Sequence, residues 1–330
     1  MNVHPWNRAV WAQLTRMRHP LPHALLLHGM AGIGKRELAL AYAQWLLCER
    51  PGEQGGCGTC RACAWIRQGA HPDLHWVEPE ETEEGAEETD KARRARPIIR
   101  IDQIRALIEA LSLSAHQGGW RLALIRPAEA MNPAAANALL KTLEEPPPRV
   151  MLILISHQPR RLLPTVLSRC HKFALPRPDW DTALAWLRAQ GVAAAEDALR
   201  EAGGAPLLAL EYAQPERLER RGRVLTALAQ PQRQDWSELA EAMKNAPGEV
   251  WDWISRWLSD LLALQQGLPS RYYPAHAAAL QSLARRTDPA RAWSLYRELI
   301  AARRHLAHPL NAQLLLESWF LRYASLEDSP

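Results

Sequence analysis

Four of the five cysteines crowd into sixteen residues, as Cys48, Cys57, Cys60 and Cys63, with the spacing C-x8-C-x2-C-x2-C. Two-residue gaps let thiolates turn onto one ion, and four thiolates complete a tetrahedral zinc shell with no open position. Such a site is structural. A redox C-x-x-C pair is the alternative, but it needs two cysteines and not four. Gly52, Gly55, Gly56 and Gly58 supply the tight path between the ligands, and the segment is too polar to be core. Cys170 stands far away in sequence and reads as a small buried residue.

A second pattern, Gly29-x4-Gly34-Lys35, follows an apolar run and opens a helical pattern. Backbone N–H groups at a helix start can cradle phosphate, and a lysine there reaches its terminal oxygens. Gly29, Gly32, Gly34 and Lys35 are therefore the candidate nucleotide-binding residues. A Ser or Thr should come next to hold Mg²⁺, yet position 36 is Arg36, and a guanidinium cannot ligate a cation. The acidic companion should end a nearby strand. After Leu122–Ile125 stand Arg126 and Pro127, and Glu129 comes two residues late. With both metal ligands missing, the site is expected not to hydrolyse nucleotide.

Several elements must position these groups. The runs at 24–28, 121–126 and 150–155 read as buried parallel strands, and 74–77 as a further short one. Helical periodicity follows at 35–48, 63–68, 101–111 and 133–143. The last is N-capped by Asn132 with Pro133 at its first position. Strands alternating with helices imply a parallel α/β sheet covered on both faces. Residues 78–97 are a charged, solvated loop. After Pro176 three short helices are expected at 179–190, 193–202 and 206–212, and from about Pro215 the chain is all helical periodicity.

Composition narrows the function. At 330 residues, two or three domains are expected. Forty basic and 36 acidic residues leave a net charge of +4, unlike the footprint of a stand-alone nucleic-acid binder. No apolar run is long enough to span a bilayer, and the first residues lack a signal-peptide pattern, so a cytoplasmic location is expected. The 14 Trp against 2 Phe read as compositional drift.

The string from Asn137 to Pro147, N-A-L-L-K-T-L-E-E-P-P, resembles the signature of bacterial DNA polymerase III clamp-loader subunits, which are AAA+ proteins. So does Leu167-Ser-Arg-Cys170. The four-cysteine insertion is similar to their zinc module, and Asn311–Phe320 resembles the last helix of their collar. The resemblance covers nearly the whole chain. It implies an AAA+ P-loop domain at 1–175 with a zinc module at 48–63, a helical lid at 176–214 and an all-α collar for oligomerisation at 215–330. The ATP-hydrolysing gamma/tau type has GK-Ser/Thr, an Asp-Glu pair and a sensor arginine. Here those places hold Arg36, Arg126-Pro127 and, near the last, Leu207, which looks like the non-hydrolysing delta-prime type.

That resemblance implies a ring of subunits in which each site is finished by its neighbour. Arg169 would act in trans as an arginine finger on ATP held by an adjacent gamma/tau subunit; without the motif it would read as a surface salt bridge. The implied partners are gamma/tau and delta subunits, the sliding clamp, and primed DNA reached through the complex. Lys141, Glu144 and Glu145 could face a neighbour or water, and Arg160-Arg161 and the basic cluster Arg93, Arg94 and Arg96 could touch DNA or be solvated. Two other readings stand beside this one: an active ATPase of the same fold, and a free-standing zinc-bearing nucleic-acid binder.

Overall fold

The computed structural model describes residues 3–17, 21–80, 98–113, 119–303, 306 and 311–326. Most of the charged loop expected at 78–97, with its arginines, lies outside these residues. The described residues form two compact units. One runs up to Trp186 and includes Gly204–Leu208; the other holds Leu187–Gly203 and the described residues from Ala209 onward.

The first unit opens with helix α1 (Arg8–Arg16), which the sequence reading does not draw. Strand β1 (Ala24–His28) leads through the glycine loop into α2 (Lys35–Leu47), and α3 (Arg61–Arg67) closes the cysteine segment. Then come β2 (Leu74–Val77), α4 (Ile101–Ser112), β3 (Arg121–Ile125), α5 (Pro133–Glu144), β4 (Val150–Ser156), α6 (Pro164–Leu167), β5 (His171–Ala174) and the start of α7 (Trp180–Ala189), whose last three residues fall in the second unit's span. The sheet order is β2-β3-β4-β1-β5 and every pairing is parallel. β1 lies between β4 and β5, so the loop that leaves it opens at the carboxyl ends of three neighbouring strands, where open α/β sheets bind ligands.

Both faces of the sheet are covered. Leu26, Leu152 and Leu154 share one core with Leu107 and Leu111 of α4 and Leu139 and Leu143 of α5. Side chains alternate along a strand, and Leu25 and Leu27 are equally buried. Asn132 caps α5 as expected, its side chain accepting the Ala135 N–H at 2.7 Å. Cys170 is buried in the same core as α5.

The second unit is all helix: α8 (Ala195–Glu201), α10 (Pro215–Ala229), α11 (Trp236–Met243), α12 (Pro247–Gln265), α13 (Ala277–Arg286), α14 (Pro289–Ala302) and α15 (Ala312–Ala324). The short α9 (Pro206–Tyr212) belongs partly to each unit's sequence span. Trp253 and Trp257 of α12 are fully buried at the centre of the bundle.

The tryptophans are more than compositional drift. Among the described residues, Trp6 donates its indole N–H to Ile33, Trp11 to Glu53, Trp45 to Gly52, Trp251 to Leu299, Trp253 to Glu201 and Trp257 to Tyr323. A buried indole gives apolar area and one donor together, so each joins packing to loop or helix position.

Arg121, at the start of β3, is buried. Its guanidinium donates to the carbonyls of Leu111 and Leu113 at the end of α4, and to Pro148 at 2.9 Å. A cation at a helix C-terminus is favourable, and buried carbonyls stripped of donors are costly. Arg121→Met is expected to lower the unfolding free energy by about 1–3 kcal/mol, read as a shift of the denaturant midpoint at unchanged slope.

Candidate functional site

The glycine loop joins β1 to α2, and its backbone carbonyls are taken up within the chain. The Lys35 ammonium donates to the carbonyl oxygens of Gly29, at 2.8 Å, and Met30. Leu207 N–H donates to Gly32 at 3.0 Å. Trp6 Nε1 and Asn7 Nδ2 both donate to Ile33, at 2.9 and 2.8 Å. The approach is close enough to require glycine. At Gly34, with φ of +84°, a Cβ would lie 2.7 Å from the His4 ring. At Gly32, with φ of +72°, it would lie 2.7 Å from Leu208 Cβ. His4 stacks on Trp6 with ring centroids 4.8 Å apart, and Trp186 meets both rings edge-on.

Each position that departs from the magnesium-binding pattern has found other work. Arg36 lies over the Trp76 ring, 5.2 Å from its centroid. Arg126 pairs with Glu78 at 3.2 Å. Leu207, near which the resemblance implies a sensor arginine, contributes its backbone N–H to the loop. Glu129, two residues late in sequence, is brought near Lys35, whose ammonium feels its charge. The Glu129 carboxylate accepts the N–H groups of His157 at 2.9 Å and Gln158 at 3.1 Å, just past β4. Nothing in its spacing marked Glu129 for this place. Burial holds Lys35 down to about 8 despite Glu129 and Glu37. Burial also lowers His157 and His28, and the charge of Lys35 adds to it at both.

The structure brings the four predicted cysteines together. The sulfurs of Cys48, Cys57, Cys60 and Cys63 all lie within 4.8 Å of one another, so the cluster could hold a metal ion. Backbone N–H groups already point at them: Cys57 N donates to Cys48 Sγ at 3.1 Å, and Cys60 N to Cys57 Sγ at 3.3 Å. The Thr59 hydroxyl helps to pull Cys57 down to about 5. Burial instead pushes Cys63 up to about 12 as a free thiol. A divalent cation would supply the charge that burial withholds. Trp11 and Trp45 fasten the intervening loop through Glu53 and Gly52.

Arg169 follows α6 and is partly exposed. It donates to the Thr165 carbonyl at 2.9 Å and pairs with Glu144, at the end of α5, at 2.6 Å. None of these partners belongs to the chain's own glycine loop.

Two family models match this chain, one described as DNA polymerase III, delta subunit, over residues 7–179, and one as its C-terminal part over residues 215–325. The DNA polymerase III subunit delta' of Pseudomonas aeruginosa is 38% identical over 340 residues, covering 98% of each chain. That of Escherichia coli is 30% identical, covering 98% of this chain and 95% of its own. The chain belongs to the DNA polymerase III delta-prime family. Among solved structures, a DNA polymerase III gamma-subunit-related protein of Thermotoga maritima superposes with a TM-score of 0.51 at 16% identity, covering 97% of this chain and 99% of that one. At that identity the likeness speaks for the fold. The fold expected for this delta-prime family member, a parallel P-loop sheet followed by helices, is the one observed. No helix among the described residues is long and apolar enough to cross a membrane.

The buried lysine carries a pH signature. Folded, Lys35 gives up its proton near 8; unfolded, near 10.5. Between these values the unfolded chain holds more protons, so unfolding free energy rises with pH. Wild type is therefore expected to gain stability relative to Lys35→Met as pH rises from about 8 to about 10, and chemical denaturation across that range measures the difference.

Proposed function

We propose that the chain is a non-hydrolysing subunit of a clamp loader, which helps place a sliding clamp on primed DNA and completes the active site of a neighbouring ATPase subunit. The observation that carries this reading is the contrast between its own loop and Arg169. At its own site, the magnesium positions after the loop and after β3 hold Arg36 and Arg126, and both guanidiniums are engaged elsewhere, on Trp76 and Glu78. Arg169, by contrast, sits at the surface in the Ser-Arg-Cys motif. Its pairing with Glu144 leaves the two side chains 34% and 49% exposed. An ion pair so exposed is worth only about 0–1 kcal/mol, so Arg169 can be handed to a stronger anion at small cost. A planar guanidinium with fixed donors suits the equatorial oxygens of a transferring γ-phosphoryl group.

Assembly into a ring with gamma/tau and delta subunits has support in the second unit. Trp293 and Ile300 of α14, and Leu314 and Leu321 of α15, are between 44% and 61% exposed. The Glu298–Arg322 ion pair links the two helices. Large apolar side chains on neighbouring exposed helix faces suit a protein interface.

The metal of the cysteine cluster is zinc on this reading, since four thiolates within reach of one ion suit a closed tetrahedral shell. Cys48, Cys57, Cys60 and Cys63 would hold it. Its contribution is folding energy for the segment, with no part in the reaction.

Two measurements test the proposal. In a complex reconstituted with gamma/tau and delta subunits, Arg169→Ala is expected to leave assembly intact and to slow ATP turnover at the site it faces by about 10³–10⁵; DNA-stimulated turnover equal to wild type would refute the finger. Elemental analysis is expected to find about one zinc per chain, and Cys60→Ser to lose it. A folded, metal-free wild-type preparation contradicts the zinc assignment.

A further inference from the structure

Glu201 closes α8 and is only 2% exposed. Its Oε1 takes Arg217 Nη2 at 3.2 Å, Arg256 Nη1 at 3.2 Å and Trp253 Nε1 at 3.1 Å, and its Oε2 lies 2.9 Å from Arg221 Nε. Two of these arginines come from α10, and Arg256 and Trp253 from α12. Three cations thus converge on one carboxylate, and nearby acids offset much of the excess positive charge. Glu249 pairs with Arg217 at 3.1 Å and with Arg220 at 2.9 Å, and Asp252 lies 3.8 Å from Arg256. Aromatic faces fill the remaining space: the Arg217 guanidinium sits 3.9 Å over the Tyr212 ring, and Arg221 lies over Tyr273.

α8 itself is seven residues long. Helices shorter than about 12 residues have little stability of their own in water. Its buried apolar residues are Ala195, Ala198 and Leu199, with Ala202 beyond its end, so one leucine supplies most of the side-chain area. The charge cluster is therefore its main attachment. A buried carboxylate held by several arginines cannot leave singly, because its departure strands cations in a low-dielectric interior.

We propose that Glu201 locks α8 to α10 and α12 as one cooperative body, so that the short helix opens only when the bundle opens. This goes beyond the clamp-loader reading and does not depend on it. Nothing in the residues around Glu201 in sequence marks it, since its partners stand 16 to 55 residues away.

Native-state hydrogen exchange on the full chain, over denaturant concentrations below the midpoint, tests it. Amides of residues 198–203 should merge with those of α10 and α12 into one opening, with protection agreeing within about threefold. In Glu201→Gln, which keeps shape and removes charge, α8 protection should fall by about tenfold or more, while β4 amides stay within about twofold. Wild-type α8 exchanging about tenfold faster than α10 overturns the proposal. So does a folded Glu201→Gln with unchanged α8 protection. If that variant does not fold, the wild-type comparison decides alone.

Discussion

Backbone carbonyls at the end of a central parallel strand must find donors, and in the first unit this requirement organises what surrounds the glycine loop. Four donors arrive from three places: Lys35 at the start of α2, Trp6 and Asn7 before α1, and Leu207 from far along the chain. Each fixes a segment against the loop as it bonds. The glycines at 32 and 34 follow from this crowding, since side chains there would collide with Leu208 and His4. A loop of this form was readable from sequence because its signal is local: strand, glycines, lysine, helix. The donors that complete it were not, because nothing in a tryptophan or an asparagine near an N-terminus announces a partner some 26 residues on.

The same division runs through the rest of the molecule. The cysteine cluster was legible, since sixteen residues hold all four ligands and the spacing restricts how they can meet. β1, β3 and β4 were legible as continuous apolar runs, the mark of strands buried on both faces. β5 was not drawn: of His171, Lys172, Phe173 and Ala174 only Phe173 is buried, because the strand lies at the sheet edge. α1 was missed too, with Val10, Trp11 and Leu14 as its whole buried face. Glu129 and Glu201 show the limit most plainly. In sequence Glu129 stands out only as an acid two residues late for a magnesium ligand, Glu201 carries no signal, and each is defined by contacts across the fold.

The phosphate loop and the Ser-Arg-Cys arginine lie on separate elements of the first unit. Arg36 and Arg126 stand where the phosphate-loop pattern calls for metal ligands, and each has a partner within the fold, Trp76 and Glu78. The Ser-Arg-Cys arginine lies on a different element and answers to different contacts. On the proposed reading, changes at the phosphate loop leave the contacts of Arg169 with Thr165 and Glu144 untouched.

The indoles of Trp11 and Trp45 give the cysteine segment an optical consequence. Both lend their N–H to the loop between Cys48 and Cys57, and Tyr42 packs between them, stacked on Trp45 and edge-on to Trp11. Whatever orders or releases that loop alters the polarity around two chromophores at once. Two of the chain's 14 indoles thus sense the state of that segment.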